Sequence, residues 1–345
     1  VQYAAYSKEN CLQTTFDTAL QDQQNIVLQA GSLRDPVTDF ARSVCAGLER
    51  NPRQLECRFL YDARGSKLYE QICSQPEYYP TRTEAGILAR SADEICRETG
   101  PCHLIELGSG SSAKTDYLLS SSQSLYGNIC YTPIDISASA LHLSGRSIIS
   151  RRPEVQFVGI HGTYNDSFKL FRCASPALVI FLGSTIGNFQ EEEEHAFWQD
   201  ISRHMQAGDY FLLGIDLVKD QGLLEAAYND AAGVTAAFTR NYFARMNREL
   251  GTALDPDRIE HIAFYNREKS RMEIHAEFTA AQQIDIRSLG RTFTVDRGER
   301  ILVEVSRKFR LPEVRERLRS YGFTALMTRT DASNWFGLLL LQKTG

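Results

Sequence analysis

Between His103 and Asp216, short apolar runs alternate with longer amphipathic stretches. The runs His103–Leu107, Ile129–Ile134, Val155–Ile160, Ala177–Leu182 and Tyr210–Ile215 have the length and continuity of buried strands. Helical spacing fills the gaps: from the glycines after Leu107 to about Leu119, over Ser139–Ile149, and over Glu191–Met205. The last of these carries four glutamates in its first turns, where the helix dipole favours acids. Such alternation predicts an α/β, doubly wound and mostly parallel sheet. After Asp216 the pattern changes. Gly222–Glu249 reads as largely helical, and Ile262–Tyr265, Arg271–Thr279, Arg291–Val295 and Ile301–Phe309 read as an antiparallel system. Pro312–Tyr321 is a helix, and Ala325–Thr330 with Phe336–Gln342 close the chain as a hairpin.

Upstream, residues 1–56 are weakly patterned apart from a helix over Asp39–Leu48, and a further helix follows near Lys67–Cys73. In Pro76-Glu-Tyr-Tyr-Pro80, Pro80 should hold Tyr79 extended. Thr81 or Thr83 should then cap a helix over Glu84–Cys96. The insertion after the fifth run is domain-sized. Residues 83–218 with 308–345 are therefore expected to form the sheet domain, and 1–82 with 219–307 a smaller α+β domain.

Leu104-Ile-Glu-Leu-Gly-Ser-Gly-Ser-Ser-Ala-Lys-Thr115 combines a strand, a glycine turn and a helix start. Backbone N–H groups at such a turn suit a nucleotide. Gly108-x-Gly110-x-x-Ala113 also fits the dinucleotide fingerprint, which keeps an NAD reading open. Glu106, two residues ahead, produces the Glu-x-Gly-x-Gly form of class I methyltransferases. Asp135, ending the second run, suits ribose hydroxyls in either case. Lys114 near a helix start opposes the dipole, so it reaches a carboxylate or points to solvent.

Composition removes several classes. With 345 residues, 43% hydrophobic and 23% charged, a net charge of −5 gives no basic field for nucleic acid. No apolar run spans a bilayer, and Val1–Tyr6 has no leader pattern. Eight cysteines without a C-x-x-C pair suit reduced cytoplasmic thiols, and seven dispersed histidines suggest no metal site.

Two further constellations follow. Gly183-Ser-Thr-Ile-Gly-Asn188 leaves the fourth strand at the edge where ligands of open sheets gather. Glu304 and Ser306 share one strand face, as a ligand grip or as the wet face of an amphipathic strand. Tyr61, Tyr78, Tyr79 and Tyr228 could line a pocket or be ordinarily buried.

The motifs Tyr61-Asp-x-Arg-Gly-Ser, Pro76-Glu-Tyr-Tyr-Pro-Thr-Arg-Thr-Glu84, Glu106-Leu-Gly-Ser-Gly, Phe181-Leu-Gly-Ser-Thr-Ile-Gly-Asn, Asp216-Leu-Val-Lys-Asp and Glu304-Val-Ser-x-Lys-Phe closely resemble the ergothioneine-pathway L-histidine Nα-methyltransferases, the EgtD family. The resemblance runs from about Phe59 to the C-terminus. It implies a class I (Rossmann-like) methyltransferase sheet with a smaller substrate-binding domain. It also implies three methyl transfers from S-adenosyl-L-methionine to the α-amine of histidine, giving hercynine. Gly108, Lys114 and Asp135 would serve the cofactor, and Asn188 and Tyr228 would hold the substrate carboxylate. Tyr61 would lie beside the amine, which the Gly183 carbonyl would accept from. Tyr78, Glu304 and Ser306 would read the imidazole. Where many relatives have Asp-Phe against the adenine, this chain has Thr163-Tyr164. A frequent methionine near the substrate ring is Ile274 here, which is stiffer.

The chemistry expected is in-line displacement by an unprotonated amine, with no covalent intermediate and no metal. The partners expected are histidine and its mono- and dimethylated forms, with neither nucleic acid nor membrane, for a cytoplasmic monomer. An N-methyltransferase for another amino acid or aromatic amine, an NAD-dependent oxidoreductase and a non-catalytic scaffold are the alternatives.

Overall fold

The computed structural model describes residues 2–4, 9–30, 35–110 and 112–345, with side chains from Leu12 onward. The strands are β1 (Gln2–Ala4), β2 (Ile26–Gln29), β3 (His103–Leu107), β4 (Ile129–Asp135), β5 (Val155–His161), β6 (Ala177–Phe181) and β7 (Tyr210–Asp216). They continue as β8 (Ile259–Asn266), β9 (Arg271–Phe278), β10 (Gln282–Ile286), β11 (Arg291–Val295), β12 (Arg300–Arg307), β13 (Phe323–Thr330) and β14 (Phe336–Lys343).

Nine of them form one sheet in the order β1-β2-β5-β4-β3-β6-β7-β14-β13. It is parallel as far as β7, and the terminal hairpin β13–β14 joins it antiparallel. β3, β4 and β6 are entirely apolar or buried along most of their length, as strands covered on both faces must be. Between β3 and β6 the winding reverses, and the crevice beyond the carboxyl ends of these strands is where open α/β sheets bind ligands.

A second core gathers the helices Pro36–Leu48, Ala63–Cys73, Gln221–Tyr228 and Val234–Leu250 around the three-stranded sheet β12-β9-β8 and the pair β10-β11. Phe40, Tyr242 and Phe243 fill it. It meets the first core at the loop after β6. There a Cβ on Gly187 would stand 3.0 Å from the Arg307 carbonyl oxygen, so a side chain here would press this loop away from β12.

Three expectations need correction. Residues 1–82 do not all join the second unit. β1 and β2 extend the large sheet beside β5, and Phe16 of the helix Glu9–Gln21 is buried in that sheet's core. Gln156 Nε2 donates to the Ala19 and Leu20 carbonyls at 2.8 and 2.9 Å, and the Phe157 N–H donates to Asn25 Oδ1 at 2.8 Å. Strands of three and four residues carry too little periodicity to be read from the chain alone. Secondly, the helix expected from Thr81 or Thr83 begins at Tyr79 and runs to Thr99. Pro80 sits in its first turn, where the missing N–H costs no bond. Thr83 caps nothing; its hydroxyl donates to the Tyr79 carbonyl. Thirdly, the helix after the glycines starts only at Asp116, and β10 was not foreseen.

Among the described residues, no helix is long and apolar enough to cross a membrane, and no group of His, Cys, Asp and Glu is arranged to hold a metal ion.

Candidate active site

The glycine turn leaves β3 with Gly108 at φ +68° and Gly110 at φ +49°, a region that disfavours side chains. The Gly108 N–H donates to the Ile134 carbonyl at 2.9 Å, tying the turn to β4. Asp135 at the end of β4 accepts from the Gly110 N–H at 2.9 Å and the Ser137 N–H at 2.8 Å. Burial pushes this carboxyl up despite those bonds. Beneath the turn, Glu106 is buried and accepts from Thr115 Oγ1 at 2.5 Å and from the Tyr131 hydroxyl. Burial raises its pKa to about 7. Glu106 therefore staples β3, β4 and the segment entering the next helix.

Lys114 reaches a carboxylate: it pairs with Glu84, which is fully buried. Glu84 also accepts the Gly183 N–H on both oxygens, at 2.8 and 2.9 Å. One carboxylate thus joins Lys114 to the loop after β6. It fits because Gly214 of β7 has no Cβ, which would lie 2.0 Å from Glu84 Oε1.

Thr163 and Tyr164 stand at the same crevice. The Thr163 hydroxyl is engaged in a capping box, donating to Asp166 Oδ2 at 2.6 Å. Tyr164 packs edge-on to Phe181 and Phe197, at 5.6 and 6.4 Å between centroids. Its hydroxyl oxygen lies 2.6 Å from where a Cβ on Gly108 would sit. The first glycine therefore makes room for Tyr164.

The second half of the site centres on β12. Glu304 accepts from Asn188 Nδ2 at 2.8 Å, which brings the loop after β6 onto the strand. Burial pushes Glu304 up to about 7, with the Asn188 bond opposing. Ile274 is directly across from it on β9. Ser306 accepts from the Tyr228 hydroxyl at 2.7 Å. Tyr78 meets Tyr228 edge-on at 6.2 Å and Tyr69 at 6.4 Å. Tyr61 packs edge-on to Tyr69 and Phe238, at 5.4 and 5.3 Å. The structure thus brings Tyr61, Tyr78, Asn188, Tyr228, Glu304 and Ser306 into one neighbourhood of side chains. Asn188 is tied to Glu304 and Tyr228 to Ser306.

Behind them is a charged network for which no role was expected. Lys308 Nζ donates to Asp216 Oδ2 at 2.8 Å and to the Tyr228 and Ser306 hydroxyls, each at 2.9 Å. Asp216 also accepts from the Tyr79 hydroxyl and from Lys219. Burial opposes the charge on Asp216, but Lys308 and Lys219 outweigh it and hold the carboxyl below its usual value. Burial likewise opposes the Lys308 charge, yet Asp216 and Tyr228 together keep its pKa above the ordinary lysine value. Lys219, with a smaller share of Asp216, is lowered to about 8 by burial. The missed residues had a signal. Lys308 continues the Glu304, Ser306 alternation by one more step, and Glu84 closes the Pro76–Glu84 motif.

A Gly-rich turn after β3, an acid ending β4, and an open parallel sheet closed by an antiparallel terminal hairpin define a class I methyltransferase. Comparison with known proteins narrows this. A family profile described as "Histidine-specific methyltransferase, SAM-dependent" matches residues 40–343. Histidine N-alpha-methyltransferase of Mycolicibacterium smegmatis is 40% identical over 299 residues, covering 87% of this chain and 93% of that one. Ergothioneine biosynthesis protein 1 of Neurospora crassa is 30% identical over 85% of this chain but only 33% of its own length. A 4-dimethylallyltryptophan N-methyltransferase of Claviceps purpurea is 30% identical over 63% of this chain and 65% of its own. The chain belongs to the histidine-specific, S-adenosylmethionine-dependent methyltransferases.

Proposed function

We propose that this enzyme methylates the α-amine of L-histidine three times, producing hercynine for ergothioneine biosynthesis. The observation that carries the reading is the convergence of Glu304, Ser306, Asn188 and Tyr228 beside the Gly183 loop. A recessed carboxylate next to a hydroxyl suits a ring with two nitrogens. It would be costly against an indole, which offers it one donor at most.

The crevice fits S-adenosylmethionine: two glycines with left-handed backbone, an acid within reach of Gly110, and Lys114 at the adjoining segment. Gly108, Lys114 and Asp135 would hold it, with Thr163 and Tyr164 flanking the adenine end. It supplies a methyl group already activated on a sulfonium. The amine lone pair forms the new N–C bond as the C–S bond breaks, its electrons passing to sulfur. The displaced amine proton leaves to water before each transfer. This chain's task is alignment. Asn188 and Tyr228 would orient the substrate carboxylate, and the Gly183 carbonyl and Tyr61 the amine. The rings of Tyr61 and Tyr69 would favour the growing quaternary cation. On this reading the large sheet would bind the cofactor and the second core would do most of the substrate reading. The described free thiols suit a reducing compartment.

The mass of the product from histidine and S-adenosylmethionine tests this directly. A gain of three methyl groups is expected. Methylation of another amino acid in preference to histidine would refute it.

A further inference from the structure

Two buried lysines share one buried carboxylate. Lys308 and Lys219 both pair with Asp216, and the side chains of Lys308, Lys219 and Asp216 are 0%, 5% and 1% exposed. Two further carboxylates act on the group, and neither balances it. Asp331 acts on Lys219, but its oxygens accept the N–H groups of Ser333, Trp335 and Phe336. Glu304 feels Lys308, but burial pushes it up to about 7, so it carries only part of a charge at neutral pH. A buried charge is costly unless it is paired. The excess positive charge therefore suits an anion from outside the chain. It reaches that anion only through another group. An ammonium has three N–H groups, and those of Lys308 go to Asp216 at 2.8 Å and to the Tyr228 and Ser306 hydroxyls, each at 2.9 Å. Its Nζ also lies 4.9 Å from the centroid of the Tyr228 ring. The Tyr228 oxygen thus accepts from a full cation, which makes its own O–H a stronger donor. In this structure that O–H rests on Ser306 at 2.7 Å. Rotation about the C–O bond re-aims it while Lys308 stays on the oxygen.

We propose that Lys308 is a positioning residue that carries positive charge through the Tyr228 hydroxyl to the α-carboxylate of the substrate, so that the enzyme takes a free amino acid in preference to its amide. The proposal rests on the functional reading above, in which Tyr228 holds that carboxylate. When the carboxylate arrives, Tyr228 turns its proton to it and gives up the bond to Ser306. Nothing is required of the ring end of the substrate. An amide brings no charge, so it gains from Tyr228 an ordinary hydrogen bond and nothing from the cation behind.

The test compares L-histidine with L-histidinamide in wild type, Lys308→Met and Lys308→Gln at one pH. The two amines differ in basicity, but they do so equally for every variant, so the difference cancels when the kcat/KM ratios are compared. Methionine approximates the lysine stem, and Asp216 keeps Lys219 and the Tyr79 hydroxyl, so Lys308→Met strands no buried charge. In Lys308→Met, kcat/KM for histidine should fall about thirtyfold, chiefly through KM, and that for histidinamide less than about threefold. Lys308→Gln, which donates but carries no charge, should lose the preference as Lys308→Met does. S-adenosylhomocysteine binding by calorimetry checks that the variants are folded. Equal losses for both substrates in a folded Lys308→Met overturn the proposal, as does a Lys308→Gln that keeps the wild-type ratio. If neither variant folds, Tyr228→Phe breaks the relay at its ligand end: a fall of about tenfold or more in the ratio supports the proposal, and an unchanged ratio overturns it. Histidine turnover with equal losses defeats this proposal alone, whereas absence of histidine turnover in wild type defeats the functional reading and this proposal with it.

Discussion

Replacing Glu84 tests how the two halves of the site are joined. Its carboxylate is fully buried, accepts the Gly183 N–H at 2.8 and 2.9 Å, and pairs with Lys114. Glu84→Gln keeps one acceptor for Gly183 but loses the charge that faces Lys114, or turns an amide donor toward it. Removing one partner of a fully buried pair costs about 3–5 kcal/mol. The Lys114 side chain is 24% exposed, so water recovers part of that. About 2 kcal/mol is a reasonable net figure. In a chain of this size that lowers Tm by roughly 3 °C. Lys114 and Gly183 lie on different segments of the crevice, so kcat/KM should drop about tenfold for both S-adenosylmethionine and histidine, equivalent to about 1.4 kcal/mol each. Gly214→Ala gives an independent route to the same loss. Its Cβ would stand 2.0 Å from Glu84 Oε1 and 3.2 Å from Cδ, which expels the carboxylate without altering its charge. Scanning calorimetry and initial rates with each substrate varied are the assays. If Glu84→Gln melts within a degree of wild type and keeps both kinetic constants, the carboxylate is not the link described here.

Glu304 should leave a signature in stability against pH. Burial raises its pKa from 4.5 to about 7, so the folded protein holds that proton more tightly than the unfolded chain. Its contribution is present below about 4.5 and lost as pH rises through 7. Glu304→Gln should therefore gain about 1–3 kcal/mol relative to wild type between pH 4.5 and pH 8; parallel Tm curves would contradict this. Gly187→Ala puts a Cβ 3.0 and 3.2 Å from the Arg307 carbonyl oxygen and amide nitrogen, so the Asn188 loop must shift. We expect at least tenfold loss of kcat/KM for histidine with S-adenosylhomocysteine affinity unchanged, measured by calorimetry. Phe16→Ala should destabilise the protein by about 3–5 kcal/mol in chemical unfolding. A change under 1 kcal/mol would deny the N-terminal helix its place in the core.

The sequence alone determined the central sheet. β3 matches its expected span, and β4 to β7 differ from theirs by a residue, because strands covered on both faces need continuous apolar runs and glycine punctuation marks their ends. It also singled out Glu304 and Ser306 as one face of a strand, since period-two alternation is a local property. Long-range pairing lies beyond local pattern. Nothing near β2 in the chain says that Ile26–Gln29 will lie beside Val158–His161, because four residues have no usable period. Nothing near Lys308 says that its ammonium will meet Asp216, 92 residues earlier, or that Glu84 will reach both Lys114 and Gly183. Buried charges are read from their partners, and partners distant in sequence are chosen by packing. The motifs therefore displayed the groups proposed for the ligand, while the tertiary structure alone decided which charges stand behind them.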